Sequence, residues 1–192
     1  VLPSKNANLA TRGAWKGQRL TDGLPVLLTS VEQAGVRYEV EQFAYPLHGL
    51  PAERRGDLAM VLFNKITLTE LTGAARRVAM PLRHSRDYPT NALVAATVVS
   101  RGETALVMDH SSDRVLFVLQ GIHPEAAPRV QAGATDKKRR TTAWEIDLDL
   151  TFDLAPNGRR EFLVKLPSPP VTPADQETLI RLDYAAARDG TL

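Results

Sequence analysis

The sequence predicts an all-β fold: an antiparallel two-sheet β-sandwich, supersandwich-like, that ends on a single linker helix. Three observations predict it. Residues Trp144 to Leu154 alternate apolar and polar without a miss. Eight or nine strand-like runs recur between clusters of turn-forming residues, and no helical periodicity interrupts them before Thr172. Strands at this spacing without interleaved helices favour antiparallel sheets over a βαβ arrangement, and two such sheets bury their inner faces against each other.

The elements follow in order. Residues Val1 to Gly23 carry Pro3, Gly13, Gly17 and Gly23, and read as a lead-in with one short strand near Trp15. Pro25 to Val31 is a short apolar run, and Val36 to Tyr45 alternates, with Val36, Tyr38, Val40 and Gln42 on one face and Arg37, Glu39 and Glu41 on the other. The intervening Gln33-Ala34-Gly35 suits a hairpin turn. Leu58 to Leu71 starts as a continuous apolar run, which implies burial on both faces, and alternates from Asn64. Further strands are expected at Arg76 to His84, Asn91 to Ser100, Thr104 to Asp109 and Arg114 to Gly121, with Tyr88 in the turn-like stretch that follows the first of them.

The polar stretch Ile122 to Thr141, which holds Pro124, Pro128 and the basic run Lys137 to Arg140, reads as a long loop. At 180° per residue the next segment places Trp144, Ile146, Leu148, Leu150, Phe152 and Leu154 on one face, so it is a long strand with Trp144 in the core. Ala155 to Gly158 forms a turn, and Arg159 to Pro167 returns as the hairpin partner. The prolines in Ser168 to Val171 then remove ladder donors and end the sheet. Thr172 as N-cap, Pro173 in the first turn, Asp175 near the exposed amides and Gly190 as C-cap frame one helix, in which Leu179, Ile180, Leu182, Asp183 and Ala186 fall at helical spacing and three of the apolar residues form a stripe. The expected organisation is a sandwich over residues 1–167 and a proline-rich break and helix over 168–192.

Composition narrows the function classes. Of 192 residues, 43% are hydrophobic and 24% charged, the balance of an ordinary globular domain. A formal charge of +2 gives no basis for a nucleic-acid partner. The absence of cysteine excludes disulfides, thiolate metal sites and a thiol nucleophile. No run approaches the ~18 apolar residues of a membrane helix. The first residue is Val1 rather than Met, so an export signal removed upstream is compatible with the sequence and localisation stays open.

The order of features resembles a known family. The stretches "YEVEQFAYPL", "RRGDLAMVLFNKITLTEL" and the closing "DQETLIRLDYAAA" are similar, from about Gly23 onward, to the N-terminal β-sandwich of bacterial six-hairpin glycosidase-type proteins, whose next domain is an (α/α)6 barrel. The resemblance implies a noncatalytic domain that supports the barrel and shapes its carbohydrate cleft. It places the catalytic carboxylates on the barrel, so no catalytic residue is carried onto this chain. It makes the final helix the connection to a C-terminal helical domain of the same polypeptide, and it implies no cofactor. A free-standing carbohydrate-binding module is the alternative, and an enzyme complete in these residues is the third reading.

The residues themselves add candidates. Glycoside hydrolysis needs two carboxylates about 5 to 10 Å apart. Glu39 with Glu41, and Asp147 with Asp149, have permissive spacing, but the same spacing arises on any solvated or interdomain strand face. "MDHSSD" reads as a polar hairpin turn, and Lys137 to Arg140 as a solvated basic loop. His48, His84, His110 and His123 lack metal-ligand spacing. Sugar rings stack on aromatic faces, which leaves Trp15, Tyr45 and Tyr88 as expected carbohydrate or interdomain contacts.

Overall fold

A computed structural model describes residues 14–21, 23–53, 56–89, 92 and 94–190. The lead-in before Ala14, and Thr90, Asn91 and Leu93 of the expected sixth strand region, lie outside the described residues. The strands are β1 (Ala14–Leu20), β2 (Leu27–Gln33), β3 (Val36–Pro46), β4 (Met60–Glu70), β5 (Arg76–Pro89), β6 (Ala96–Arg101), β7 (Thr104–Asp109), β8 (Arg114–Gln120), β9 (Arg129–Asp136), β10 (Thr141–Leu154) and β11 (Arg159–Ser168). They form an eight-stranded sheet in the order β1-β2-β3-β4-β11-β8-β7-β6 and a three-stranded sheet in the order β5-β10-β9. Every pairing is antiparallel.

The β2–β3 hairpin closes through Ala34 and Gly35, both at positive φ (49° and 73°), as a two-residue turn matching strand twist requires. At the same end of the sheet, where Glu70 pairs with Val36, Glu70 is the shared anchor of two further turns. It accepts from the amides of Thr72 (2.9 Å), Gly73 (2.7 Å) and Asn157 (3.2 Å) and from the Thr72 hydroxyl (2.5 Å). The Thr72 hydroxyl and these amides hold its carboxyl down to about 2.

Two cores flank the large sheet. Between the sheets, Ile66, Leu68, Val107, Phe117, Phe162 and Val164 meet Val78, Met80 and Leu82 of β5 and Ile146 to Leu154 of β10. On the opposite face, Phe43, Val61, Phe63, Leu106 and Val118 are covered by Leu179 and Ala187 of the C-terminal segment. The continuous apolar start of β4 is thereby explained, since the large sheet is the middle of three layers and Val61 and Phe63 face the helical one. Phe63 is fully buried against Phe43, with ring centroids 5.0 Å apart; burial of one such side chain stabilises by about 2 to 3 kcal/mol.

The expected hairpin between Arg159 to Pro167 and the preceding strand does not form: β10 lies in the small sheet while β11 pairs with β4 and β8 in the large one, so the turn at 155–158 crosses from one layer to the other. Three further sequence expectations are corrected. The stretch from Ile122 to Thr141 is not all loop, because β9 pairs with β10. Nearly every β9 residue is exposed, so it had no alternation to display. It also bulges: Gly133 sits so close to β10 that a Cβ there would lie 3.1 Å from the Ala143 carbonyl. Second, β5 runs on through Pro89, so Tyr88 is a strand residue facing Thr142, carried by the full length of β10 rather than lying in a turn.

Third, the closing helix is two short helices. After β11 and a cis Ser168–Pro169 peptide, Val171 makes a bridge to Val115 of β8. A 3-10 turn (Pro173–Asp175) leads into α1 (Gln176–Arg181), and extended Leu182 and Asp183 separate it from α2 (Tyr184–Asp189). The Thr172 hydroxyl donates to Asp175 (3.3 Å) rather than capping an amide. Asp183 caps α2 by accepting from the Ala186 amide at 2.8 Å. Gly190 ends α2 as the sequence suggested.

Candidate functional site

The helical segment is fastened to the large sheet by charged groups as well as apolar ones. Lys165 of β11, 1% exposed, points into the helical layer. Its ammonium donates to the carbonyls of Leu179 (3.0 Å), Ile180 (2.8 Å) and Leu182 (2.7 Å), and lies over the Phe63 ring at 5.9 Å. These are the carbonyls that the end of α1 leaves without intrahelical partners, and a cation there also suits the helix dipole. The break at Leu182 therefore follows from a side chain on a distant strand. Burial pushes the Lys165 ammonium down to about 8, against the opposing charge of Asp183.

A second fastening joins α2 to β3. Glu41 accepts from Arg188 Nε at 2.7 Å and from the Tyr184 hydroxyl, and Lys65 lies over the Tyr184 ring at 5.5 Å. Burial, then the bond to Glu41, raises the Tyr184 phenol. Tyr45 belongs to this layer, since its hydroxyl would lie 3.0 Å from a Cβ built on Gly190. Trp15 stands apart on edge strand β1, opposite Val31 and 54% exposed.

The second carboxylate pair, Asp147 and Asp149, is also engaged. On the outer face of the small sheet, Arg83 holds Asp147 through two bonds (2.6 and 2.7 Å) and Glu145 at 2.8 Å, while Arg129 holds Asp149. In "MDHSSD", Asp109 accepts from the Ser111 amide (3.0 Å), the Ser111 hydroxyl (2.7 Å) and the Ser112 hydroxyl (3.0 Å), so the motif builds the β7–β8 turn. The basic run is likewise an exposed turn, with Asp136 accepting from the amides of Lys138 (2.8 Å) and Arg139 (3.1 Å). Among the described residues no group of three or more metal-ligating side chains comes together, and no helix is long and apolar enough to cross a membrane.

Tyr88 leads to the one cluster that sequence reasoning did not assemble. On the inner face of β5, His84, Arg86 and Tyr88 are successive inward positions, and Arg86 lies directly opposite Trp144 of β10. Three buried atoms here, His84 Nε2, Tyr88 Oη and Trp144 Nε1, have no hydrogen-bond partner. A fourth such atom, Arg76 Nε, lies elsewhere, in a guanidinium whose Nη2 reaches Thr72 and Glu70 and whose Nη1 donates to the Ala34 carbonyl. Burial, then the neighbouring Arg86 charge, pushes the His84 imidazole down to about 4, so it is neutral at pH 7. Burial and Asp109 raise the Tyr88 phenol, with Arg86 opposing. The alternation put Trp144 on the same face as Ile146 to Leu154, but it is half-buried and outside the core cluster, and the pattern carried no sign that its N–H would be left unpaired.

The three sequence-selected aromatics thus occupy three places: Trp15 on an edge, Tyr45 under α2 and Tyr88 between the sheets. In comparison with known proteins, no protein-family model matches the chain and no curated protein matches it significantly.

Proposed function

We propose that the chain is a noncatalytic β-sandwich module of a bacterial glycoside-hydrolase-like protein, an accessory domain that supports a helical (α/α)6 barrel and helps shape its carbohydrate cleft. The observation that carries this reading is the fastening of the helical segment. Lys165 from β11 and Glu41 from β3 grip α1 and α2 separately, and Arg101 of β6 reaches Glu177 at 2.7 Å. A segment held from three strands leaves the sheet in a set direction, which is what a rigid mount for a neighbouring domain requires. The noncatalytic part of the reading is supported by the carboxylates themselves: Glu41, Asp147 and Asp149 each carry a guanidinium partner. Side chains engaged in this way serve as structural ion pairs, not as the free acid and base that face each other across a glycosidic bond.

Two measurements test the proposal. The gene downstream of Leu192 is expected to encode several helical hairpins, and a stop codon there would remove the barrel from the reading. The purified chain is expected to leave glycosides intact, and hydrolysis that survives repurification would make it an enzyme. A free-standing carbohydrate-binding module is favoured by one observation, the exposure of Trp15 on an edge strand. That alternative requires measurable glycan affinity that falls in Trp15→Ala.

A further inference from the structure

Buried polar atoms are almost always hydrogen-bonded, so three unpaired ones within a few residues of each other mark a place where the protein alone is incomplete. Their chemistry is one-sided. The indole N–H of Trp144 can only donate, while the Tyr88 hydroxyl and the neutral His84 ring can donate or accept. Between them stands Arg86, partly buried, with no ion pair among the described residues and with its charge felt by both His84 and Tyr88. The acid whose charge reaches Tyr88, Asp109, accepts from Ser111 and Ser112 and makes no ion pair with Arg86 among the described residues. Trapped water would satisfy the three atoms but would leave the guanidinium without a counter-charge.

We propose that this end of the small sheet's inner face, built from His84, Arg86, Tyr88 and Trp144, binds the carboxylate of a small acidic ligand. An oxyanion matches the fork of a guanidinium and can accept from the indole N–H and the phenol as well. On the carbohydrate reading above, on which this last step rests, the ligand is a sugar acid of the uronate class, whose hydroxyls reach the two-way His84 and Tyr88 groups while its ring lies against Trp144. The recognition is binding only, with no bond made or broken.

The chain contains two tryptophans, so in a Trp15→Phe background the fluorescence reports Trp144 alone. Titration with glucuronate is expected to change that emission to saturation, whereas glucose at equal concentration leaves it flat. Arg86→Gln weakens glucuronate binding at least tenfold, Arg86→Lys less, and Tyr88→Phe a few-fold, with far-ultraviolet circular dichroism and melting temperature showing that each variant is folded. Titrations flat with both glucuronate and acetate, equal binding of glucose, or indifference to Arg86→Gln overturns the site. Acetate supplies the third arm. Saturable binding of acetate without glucuronate upholds the carboxylate site and sinks the sugar, and glycan binding indifferent to Arg86→Gln upholds the carbohydrate reading and sinks the site.

Discussion

Lys165 and Arg86 are both cations drawn into the fold, and their surroundings differ in kind. The Lys165 ammonium is fully enclosed and meets three carbonyls at 2.7 to 3.0 Å. The partly buried Arg86 shares its strand face with polar atoms that have no partner, and among the described residues it makes no ion pair. A buried charge costs free energy wherever it lies, and hydrogen bonds that match its geometry offset that cost. At Lys165 the offset is internal, and the product is architecture: α1 ends where its last carbonyls turn to the ammonium. At Arg86 it is not internal, and a group left in that condition is explained by something it receives from outside. Satisfaction of polar groups thus separates residues that hold the molecule together from residues that hold something else.

The largest expected effect lies at the satisfied end. Lys165→Met keeps the apolar stem but strips the Leu179 and Leu182 carbonyls of the ammonium and leaves the Ile180 carbonyl only Gln120, and is expected to lower stability by about 3 kcal/mol. Arg86→Met, which removes an uncompensated charge, should be neutral or slightly stabilising. Urea unfolding of the pair decides the matter, and equal losses from both would erase the distinction.

Next comes an acid transition centred on His84. Its imidazole titrates near 4 in the folded chain, against about 6.5 when unfolded. Between those values the unfolded state binds more protons, so stability present above pH 6.5 is lost as pH falls toward 4. The full loss amounts to about 3 kcal/mol, shared with whatever other groups titrate there. His84→Phe should flatten that limb in melts taken from pH 7 to 4, and an unchanged slope would place the imidazole in water instead of between the sheets.

A smaller effect is expected where the helical layer meets β3. Arg188→Ala leaves Glu41 with only the Tyr184 hydroxyl from this network, and is expected to cost about 1 kcal/mol, with amide exchange rising in α2 before the sheet is affected. Uniform exchange across both layers would show that helices and sheet open as one unit. Smallest of all is Trp15→Ala, on an exposed edge, where a change within about 0.5 kcal/mol is expected.

How much of this was legible in the sequence follows from what each signal depends on. β10 could be read outright because five of its six predicted inward residues, Ile146 to Leu154, are buried and their neighbours are polar. β7 was likewise bounded correctly from Thr104 to Asp109. The turn at Ala34-Gly35 could be read because backbone chemistry there is local. β9 could not, since an edge strand exposed along nearly its whole length carries no two-sided pattern. The break at Leu182 was hidden for another reason: the spacing of Leu179, Ile180, Leu182 and Ala186 is compatible with a continuous helix, and the group that interrupts it sits on β11. Tyr88 and Trp144 were each noticed separately, one as a turn aromatic and the other as core. Only the pairing of β5 with β10 sets them on either side of Arg86, and pairing partners are not written in either segment.

Glu70 shows how misleading a surface turn can be to an engineer. The bends at 71–73 and 155–158 look like two independent places to splice in a tag or a loop, yet they share one carboxylate and its bonds to Thr72, Gly73 and Asn157. Lengthening either would slacken the other across the sheet. The exposed corner from Lys137 to Arg140 leans on nothing but its own Asp136, and is the better site for an insertion.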